Sequence, residues 1–479
     1  MDKFKMFING SWVDSSNNQT IDAVNPATGK IIGTFPKATK EDVQLALDSA
    51  QGAREGWASK SIKDRAALLN KAADIFDRHH EELGTLQSCE MGKQISMAIG
   101  EASSIADLFR ESAAAGLSQT GSSYPNISTG KGNYGELAFS VTEPLGVVAC
   151  IAPFNFPVGC LTFKVAPALM MGNVIIIKPA SDCTLTIIKY VECLVEAGFP
   201  ENVIQLVTGS GKDVGDWLVD NDQIDAIGFT GSTEVGMRLY EKSSKYLHRL
   251  LLELGGNDPF IITSDADLDA AAGESAARMV NAGQVCCTSK RFIVHNSIKS
   301  RYVEKLKTVV ESLPVGDPLD EKILVGPLVS ESAAKSVEEQ VNSTLAAGGV
   351  LICGGKRNGA FYEPTVIDNV TADMPVAKDM EIFGPVWPVI GYDTIEEAIE
   401  IANQTVYGLN AGVLAGKLED GIKIASKLKA GTVVTNGSSL WRANNAPFGG
   451  YKRSGIGREG IENLLEEFSQ KKTLVIKGV

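Results

Sequence analysis

Two adjacent cysteines, Cys286 and Cys287, follow a short run of small and polar residues, Asn281-Ala282-Gly283-Gln284-Val285. A cysteine attacks an electrophile as its thiolate, so a catalytic thiol needs a neighbour that favours deprotonation. The chain has only 4 His, which leaves few candidates for a cysteine–histidine pair. Glu253, which is followed by Leu254-Gly255-Gly256, is a candidate carboxylate base. A thiol nucleophile, a carboxylate base and glycine-rich turns together indicate an oxidoreductase with a covalent intermediate.

A side-chain amide adds a third candidate. Asn155 lies in the loop Pro153-Phe154-Asn155-Phe156-Pro157 at the end of an apolar strand, where its amide can donate a hydrogen bond to an oxyanion. Alone, a cysteine is most often a buried structural residue, and a glutamate at a strand end is most often solvated. The joint presence of all three favours catalysis. A helix beginning at Cys286 would favour its thiolate further.

The signal for a nucleotide is weaker. The first strand is not followed by the G-x-G-x-x-G fingerprint of dinucleotide-binding proteins. The turn at Gly231-Ser232-Thr233 lies between a predicted strand and a predicted helix, where backbone N–H groups either bind a pyrophosphate or only complete the turn. Lys178, at the end of a buried strand, either reaches solvent at the sheet edge or contacts a ribose or phosphate.

Length and composition exclude several classes of protein. The chain has 479 residues, 44% hydrophobic and 22% charged, as in a soluble protein of two large domains. Its net charge of −13 argues against a nucleic-acid partner. No secretory signal is visible at the N-terminus, and the strongest apolar run, residues 174–177, is too short to span a membrane. We therefore expect a cytoplasmic protein without a membrane partner. The 8 Cys and 4 His lack the spacing of a zinc site, so no metal is predicted.

From Pro144 onward, β-branched strands alternate with helices that end at glycine. The predicted strands are residues 147–151, 174–177, 203–207, 226–229 and 250–253. Repeated strand–turn–helix units predict a parallel sheet flanked by helices, with ligands at the carboxyl ends of the strands. A second α/β pattern runs from Gly255 to about Gly455 and predicts a second domain.

Two segments depart from this pattern. The stretch 118–135 is rich in Ser, Gly and Asn, and the alternating stretch 136–142 follows it. They predict a β-hairpin arm, which is either a surface loop or a subunit-joining strand. An edge strand has to be covered or paired, which favours the second. Alternation returns at 472–476, and we expect this tail strand beside another edge, with the arm of a neighbouring subunit as one candidate. A homodimer or homotetramer is therefore expected.

Short motifs recur along almost the whole chain. They are Pro-Phe-Asn-Phe-Pro (153–157), Lys-Pro-Ala-Ser (178–181), Gly-Phe-Thr-Gly-Ser (228–232), Glu-Leu-Gly-Gly (253–256), Gly-Gln-Val-Cys (283–286), Glu-Ile-Phe-Gly-Pro (381–385) and Pro-Phe-Gly-Gly-Tyr-Lys-Arg-Ser-Gly (447–455). In this order they resemble the NAD(P)-dependent aldehyde dehydrogenase superfamily, near its succinate-semialdehyde, lactaldehyde and benzaldehyde dehydrogenase-like members. The resemblance implies an α/β fold with two parallel-sheet domains. A Rossmann-like cofactor domain would comprise 1–117 and 144–254, and a catalytic domain 255–456. A small β oligomerisation arm and tail would comprise 118–143 and 457–479.

The resemblance also implies a role for each site residue. Cys286 would attack the aldehyde carbon, with Cys287 only a neighbour. Asn155 and the Cys286 backbone N–H would hold the oxyanion of a thiohemiacetal, and Glu253 would activate the water that hydrolyses a thioester. The implied cofactor-binding residues are Pro153, Phe154, Lys178, Ala180, Ser181, Gly211, Gly215, Phe229, Thr230, Gly231, Ser232, Leu254, Glu381 and Phe383.

The dinucleotide preference depends on one position of this set. Family members that prefer NAD commonly have a glutamate three residues after the ribose-binding lysine, where it accepts from the 2′-hydroxyl and repels a 2′-phosphate. Here that position is Ser181, which can donate to a phosphate oxygen. Alternatively, Ser181 only caps the following helix, and Asp182 could repel a phosphate. We predict that NADP is accepted, either preferred or used alongside NAD.

The resemblance implies a substrate site formed by Phe156, Phe163, Trp441, Arg442 and Phe448. The similar succinate-semialdehyde dehydrogenases tend to have an arginine for the substrate carboxylate where this chain has Phe163, which argues against a dicarboxylate semialdehyde. Trp441 would form a wall of the tunnel, and Arg442 either faces solvent or meets an anionic substrate. Two other functions are considered: acyl transfer to coenzyme A, which Glu253 argues against, and a silent scaffold, which the three catalytic candidates argue against.

Overall fold

The computed structural model describes residues 2–119, 121–124 and 136–477. Within the predicted arm, residues 120 and 125–135 therefore lie outside the described residues. Two large β-sheets with flanking helices form the body of the molecule, and a small three-stranded sheet carries the arm and the tail. The α/β fold with two largely parallel sheets, predicted from the alternation of strands and helices, is confirmed.

The N-terminal half builds the first large sheet and its helices. Its elements are β1 (Asp2–Lys3), β2 (Met6–Ile8), β3 (Ser11–Val13), β4 (Thr20–Val24), β5 (Ile31–Pro36), α1 (Lys40–Ala58), α2 (Ile62–Met91), α3 (Ile95–Leu117), β6 (Ser123–Tyr124), β7 (Glu136–Pro144), β8 (Val147–Ile151), α4 (Pro157–Met170), β9 (Val174–Lys178), α5 (Thr184–Ala197), β10 (Ile204–Leu206), α6 (Asp216–Val219), β11 (Ala226–Thr230), α7 (Thr233–Ser243) and β12 (Arg249–Glu253).

The C-terminal half builds the second large sheet and then returns to the first. Its elements are β13 (Asp258–Ile262), α8 (Leu268–Ser275), β14 (Ser289–His295), α9 (Asn296–Glu311), α10 (Glu331–Ala346), β15 (Val350–Cys353), β16 (Arg357–Asn358), β17 (Phe361–Tyr362), β18 (Thr365–Val370), β19 (Val386–Tyr392), α11 (Ile395–Asn403), β20 (Asn410–Leu414), α12 (Leu418–Ala425), β21 (Thr432–Thr435), β22 (Gly455–Ile456), α13 (Ile461–Glu467) and β23 (Ser469–Lys477).

The first sheet has the strand order β22-β12-β11-β8-β9-β10-β2-β3. The five strands from β12 to β10 are parallel, as predicted. Chain order reverses at β8, which has β9 on one side and β11 on the other. In open α/β sheets, such a reversal opens a crevice at the carboxyl ends of the strands. The loop that carries Asn155 begins directly after β8.

The edges of this sheet differ from a simple parallel pattern. The hairpin β2–β3 pairs with β10 in the antiparallel sense, and Asn9 and Gly10 make its turn with φ of 53° and 72°, as their sequence predicts. At the other edge, β22 pairs antiparallel with β12 and places Gly455 opposite Glu253. The motif at 447–455 thereby lies beside the predicted base.

The second sheet has the order β15-β18-β19-β14-β13-β20-β21, in which only β15 is antiparallel. Successive side chains of the interior strand β13 pack in different apolar clusters: Ile261 packs in one, while Phe260 and Ile262 pack in the other. Because successive residues of a strand face opposite sides, this sheet is covered on both faces.

The tail pairs with the arm of its own chain. Along its whole length β23 is antiparallel to β7, and β6 lies on the other side of β7. The suggestion that the tail adds to the arm of a neighbouring subunit is therefore wrong for this pairing, because β7 already has a neighbour on each side. β23 remains an edge strand in this sheet, with Leu474, Val475 and Ile476 substantially exposed.

Within the part of the chain that the structure describes, helices long enough to cross a membrane are too polar to do so.

Candidate active site

A cavity of about 840 Å³ brings the predicted residues together. All the predicted cofactor-binding residues line it, namely Pro153, Phe154, Lys178, Ala180, Ser181, Gly211, Gly215, Phe229, Thr230, Gly231, Ser232, Leu254, Glu381 and Phe383. Asn155, Cys286, Phe156, Phe163 and Arg442 also line it. Glu253 lies just behind this wall, at the end of β12. The walls come from the carboxyl ends of the first sheet and from loops of the second half.

The turn before Cys286 is conformationally demanding. Asn281, Ala282 and Gly283 have φ of 50°, 52° and 77°, in the left-handed region. A Cβ on Gly283 would lie 2.1 Å from the Gly384 carbonyl oxygen, so only glycine fits there. Cys286 itself lies in a turn before β14. The condition that a helix begins at Cys286 is therefore not met, and no helix dipole favours its thiolate.

Hydrogen bonds join the Asn155 loop to this turn. The Nδ2 of Asn155 donates to the Gln284 carbonyl oxygen at 2.9 Å, and the Nδ2 of Asn281 donates to the Asn155 carbonyl oxygen at 3.0 Å. The Gln284 side chain in turn accepts from Val329 N at 2.9 Å. A primary amide carries two N–H donors, so Asn155 can donate one to the protein and the other to an oxyanion.

The surroundings of Cys286 favour the neutral thiol. Its interaction with the Cys287 side chain, together with burial, raises the pKa of Cys286, and the positive charge of Lys290 only partly opposes this. The Nζ of Lys290 donates to the Cys286 carbonyl oxygen at 2.5 Å and lies 3.4 Å from Glu381 Oε1. The thiol therefore needs a base to become a nucleophile.

Glu253 is a buried carboxyl group. Its Oε1 has no hydrogen-bond partner among the described residues. Burial raises the pKa of Glu253 well above its ordinary value, and the charges of Glu459 and Cys286 add to this while Arg442 and Lys164 oppose it. A carboxyl group with a raised pKa is a stronger proton acceptor once ionised, which suits a general base.

A buried ionic cluster that sequence reasoning missed lies behind Glu253. Lys164 Nζ lies 2.9 Å from Glu459 Oε1 and donates to Thr230 Oγ1 at 2.7 Å, while Arg442 pairs with the other Glu459 oxygen. Burial alone disfavours the Glu459 carboxylate, but the charges and hydrogen bonds of Lys164 and Arg442 outweigh it and lower its pKa. In the sequence, the one signal for this cluster is Lys164, the single charged residue of the mostly apolar helix α4.

The contacts of Arg442, at the substrate end of the cavity, bear on whether this residue faces solvent. Its guanidinium lies between two rings, 3.9 Å from the centroid of Phe163 and 4.4 Å from that of Phe448. Arg442 therefore does not simply face solvent. Phe448 is buried behind it, outside the cavity lining. Trp441 is 45% exposed and also lies outside the lining, so it forms no wall of this cavity.

The other end of the cavity is suited to a dinucleotide. Lys178 is buried at the end of β9, and burial lowers its pKa to about 8, partly opposed by the charge of Asp182. Its Nζ lies 3.9 Å from the position of a Cβ on Gly211. Gly211, Gly231 and the N-terminus of α7 surround this end. The Gly231 N–H already donates to the Glu253 carbonyl oxygen at 3.0 Å, so the start of α7 and the Lys178 cation are what this end offers to a phosphate.

Ser181 does not cap the following helix. The residue before α5 is Cys183, which makes no side-chain capping bond, and the Oγ of Ser181 instead donates to the Gly209 carbonyl oxygen at 3.3 Å. The capping alternative for Ser181 is therefore wrong. Asp182 also lines the cavity, and burial raises its pKa despite the nearby charge of Lys178.

Sequence reasoning did not identify several other lining residues, among them Met97, Glu101, Leu108, Cys160, Val235 and Leu239. They belong to helices whose apolar pattern is the same for a core and for a cavity wall. Among the residues from 2 to 477 that the structure describes, no three His, Cys, Asp or Glu side chains are grouped as metal ligands.

Comparisons with known proteins agree with this geometry. Residues 12–474 match the aldehyde dehydrogenase family. The chain is 36% identical to the succinate-semialdehyde dehydrogenase [NADP(+)] GabD of Escherichia coli (strain K12), covering 98% of this chain and 97% of the relative. It is also 36% identical to a 3-sulfolactaldehyde dehydrogenase of Priestia aryabhattai, covering 99% and 98%.

A solved structure gives the same result. Betaine aldehyde dehydrogenase of Staphylococcus aureus in complex with NAD+ superposes with a TM-score of 0.95 at 33% identity, covering 98% of this chain and 94% of the other. The chain belongs to the aldehyde dehydrogenase family and is an NAD(P)-dependent oxidoreductase that converts aldehydes to carboxylic acids.

Proposed function

We propose that Cys286 is the nucleophile, Asn155 the oxyanion donor and Glu253 the base of this reaction. The observation that carries the proposal is that Asn155, bonded to the turn that carries Cys286, lines one cavity with Cys286, while Glu253 directly precedes the lining residue Leu254. Glu253 accepts the proton that Cys286 must lose, because burial makes its carboxylate a strong proton acceptor. The Cys286 thiolate then attacks the aldehyde carbon.

The Asn155 amide donates to the oxyanion of the resulting thiohemiacetal. A nicotinamide dinucleotide, when bound, would supply the hydride acceptor. The residues that would hold this cofactor are those around Lys178, Gly211 and Ser232. Loss of hydride from the thiohemiacetal carbon leaves a thioester on Cys286. Glu253, after it has passed the first proton to solvent, removes a proton from the attacking water; the carbon–sulfur bond then breaks and the carboxylic acid and the Cys286 thiol are released. Retention of this buried carboxyl favours water over coenzyme A as the acyl acceptor.

For the substrate, we infer an aldehyde with an anionic group remote from its carbonyl. The guanidinium of Arg442 lies over Phe163, at the very residue where similar semialdehyde dehydrogenases have an arginine. A cation from a different segment thus lies at this position. The lack of an arginine at 163 therefore no longer argues against an anionic substrate. Relatives named for succinate semialdehyde and 3-sulfolactaldehyde act on anionic aldehydes.

For the cofactor, we propose that NADP is accepted, and is preferred or used alongside NAD. Ser181 is neutral and lies near Lys178 at the cavity wall. A glutamate at 181 would lie close to a 2′-phosphate, and at 4 Å two unit charges repel by about 4 kcal/mol at an effective dielectric of 20. The E. coli relative is named for NADP, whereas the S. aureus structure holds NAD.

We also propose a division of labour along the chain. Residues 1–117 and 144–254 bind the cofactor, 255–456 carry the nucleophile, and 118–143 and 457–479 join subunits into a homodimer or homotetramer. Exposed apolar residues on the edge strand β23 support assembly. All eight cysteines are free thiols, which supports a reducing compartment such as the cytoplasm.

Cys286→Ala is expected to abolish dehydrogenase activity, because it removes the proposed nucleophile. Cys287→Ala is the matched control and should keep at least about a third of the activity; the assignment is wrong if Cys287→Ala is the inactive variant.

Glu253→Gln should release cofactor product in a burst followed by slow turnover, and the wild-type deacylation rate should rise with pH above the ordinary range of a carboxyl group. Stopped-flow absorbance at 340 nm measures both.

Arg442→Met is expected to lower the preference for an anionic substrate. The measurement is the ratio of kcat/KM for 4-carboxybenzaldehyde to that for benzaldehyde, in which any general effect through Glu459 cancels. We expect a fall of at least tenfold, or about 1.4 kcal/mol. Arg249→Met, which removes a surface arginine paired with Glu467, should leave the ratio unchanged. An unchanged ratio in Arg442→Met would contradict anion recognition by Arg442.

Ser181→Glu is expected to raise the KM for NADP at least tenfold more than the KM for NAD, because its carboxylate repels the 2′-phosphate. Ser336→Glu adds the same charge on the exposed face of α10 and should change neither constant. Steady-state kinetics with each cofactor makes the comparison. The proposal fails if the wild-type enzyme uses NAD but gives no rate with millimolar NADP.

The protein is expected to have at least twice the 50.9 kDa mass of one chain in light scattering at micromolar concentration. Val475→Asp should lower this mass, because it places a charge on the apolar edge strand, while Val475→Thr keeps the branched shape and should not. A wild-type mass of one chain would rule out assembly.

A further inference from the structure

A buried ion pair lies behind the loop that carries Asn155. Lys93, just after α2, pairs with Glu101 on α3, and the two side chains are 0% and 6% exposed. Gln87 Nε2 donates to the same Glu101 oxygen at 2.6 Å. A buried ion pair has a large desolvation cost and is weak evidence for stability. Its other contacts therefore indicate what it does.

The second oxygen of Glu101 caps α4. Glu101 Oε1 accepts from the Gly159 backbone N at 2.9 Å. This helix begins at Pro157, and the residue before it, Phe156, makes no side-chain capping bond. The first N–H groups of a helix need acceptors from outside, and a carboxylate there is favourable. A helix that starts two residues after Asn155 thus takes its cap from α3.

Lys93 contacts the residue between Asn155 and α4. Its Nζ lies 3.7 Å from the centroid of the Phe156 ring, a cavity wall. The segment 155–159 is therefore held on one side by Lys93 and Glu101. On the other side, Asn281 and Gln284 hold Asn155 through the two bonds to the nucleophile turn.

The turn that carries Lys93 also touches the half of the chain that carries the nucleophile. The backbone N of Ile95 donates to the Pro318 carbonyl oxygen at 2.8 Å. A Cβ on Gly92 would lie 2.6 Å from the Pro327 ring. Lys93 and Glu101 thus lie where α3, α4 and the second half of the chain meet, and the pair can set the distance between the Asn155 loop and Cys286.

We propose that Lys93 and Glu101 are positioning residues for this reaction, which hold the Asn155 amide where the oxyanion forms. The proposal rests on the proposed role of Asn155. The pair acts through the capped start of α4 and through the Phe156 ring. If the pair served only the stability of the fold, its loss would not depend on whether the Asn155 amide is present.

A double-mutant cycle separates these roles. Glu101→Ala, Asn155→Ala and the double variant are compared in the rate of the cofactor-reduction burst at 340 nm, and in the rate at which iodoacetamide alkylates Cys286. We expect Glu101→Ala to slow the burst at least tenfold alone, but less than twofold in the Asn155→Ala background. Within each background, Glu101→Ala should change the alkylation rate less than twofold, because, within the described part of the chain, Glu101 makes no hydrogen bond to the turn that carries Cys286.

An equal loss in both backgrounds would overturn the proposal, since the pair would then act independently of Asn155. An Asn155→Ala burst like that of the wild type would instead overturn the proposed role of Asn155. Asp107→Ala, an exposed carboxylate on the same helix, is the control and should change neither rate. Glu101→Gln keeps an oxygen for Gly159 N and serves if the alanine variant does not fold. It should slow the burst less than alanine would, again only with Asn155 present.

Discussion

The site depends on the reciprocal hydrogen bonds between the Asn155 loop and the turn before Cys286. Asn155 donates to the Gln284 carbonyl, and Asn281 donates to the Asn155 carbonyl. One partner follows β8 in the first sheet, and the other precedes β14 in the second. These bonds therefore hold the Asn155 loop against the turn that carries Cys286, at the junction of the two sheets.

Burial then sets the protonation states around that junction. Burial raises the pKa of Glu253, and burial together with the Cys287 side chain raises the pKa of Cys286, so both groups hold a proton more tightly than in water. Glu459 differs, because Lys164 and Arg442 stabilise its charge. The same two cations, Arg442 and Lys164, oppose the rise in the pKa of Glu253. Their charges therefore act on both buried carboxyl groups of this cluster.

Much of the fold could be predicted because its local signals agree. The five parallel strands of the first sheet, the hairpin at Asn9-Gly10 and the helices that end at Gly172 and Gly198 all follow from short-range patterns. The return of β22 to the edge beside β12 could not, because two residues carry no strand pattern and the pairing spans two hundred positions. The tail strand was predictable, but its partner β7 was not, since alternation shows a strand and not its neighbour.

The residues of the site likewise fall into those that the sequence alone could identify and those that it could not. Residues in family-like turns, such as Cys286 and Ser232, were found because glycine and small residues mark those turns. Lys164, Glu459 and Glu101 were missed because each acts through a partner distant in sequence. Arg442 is the instructive case: a sequence comparison at Phe163 argues that a cation is missing, whereas the structure places a guanidinium directly on that ring. A comparison at one sequence position cannot find such a charge, because a cavity can receive it from a segment that is distant in the chain.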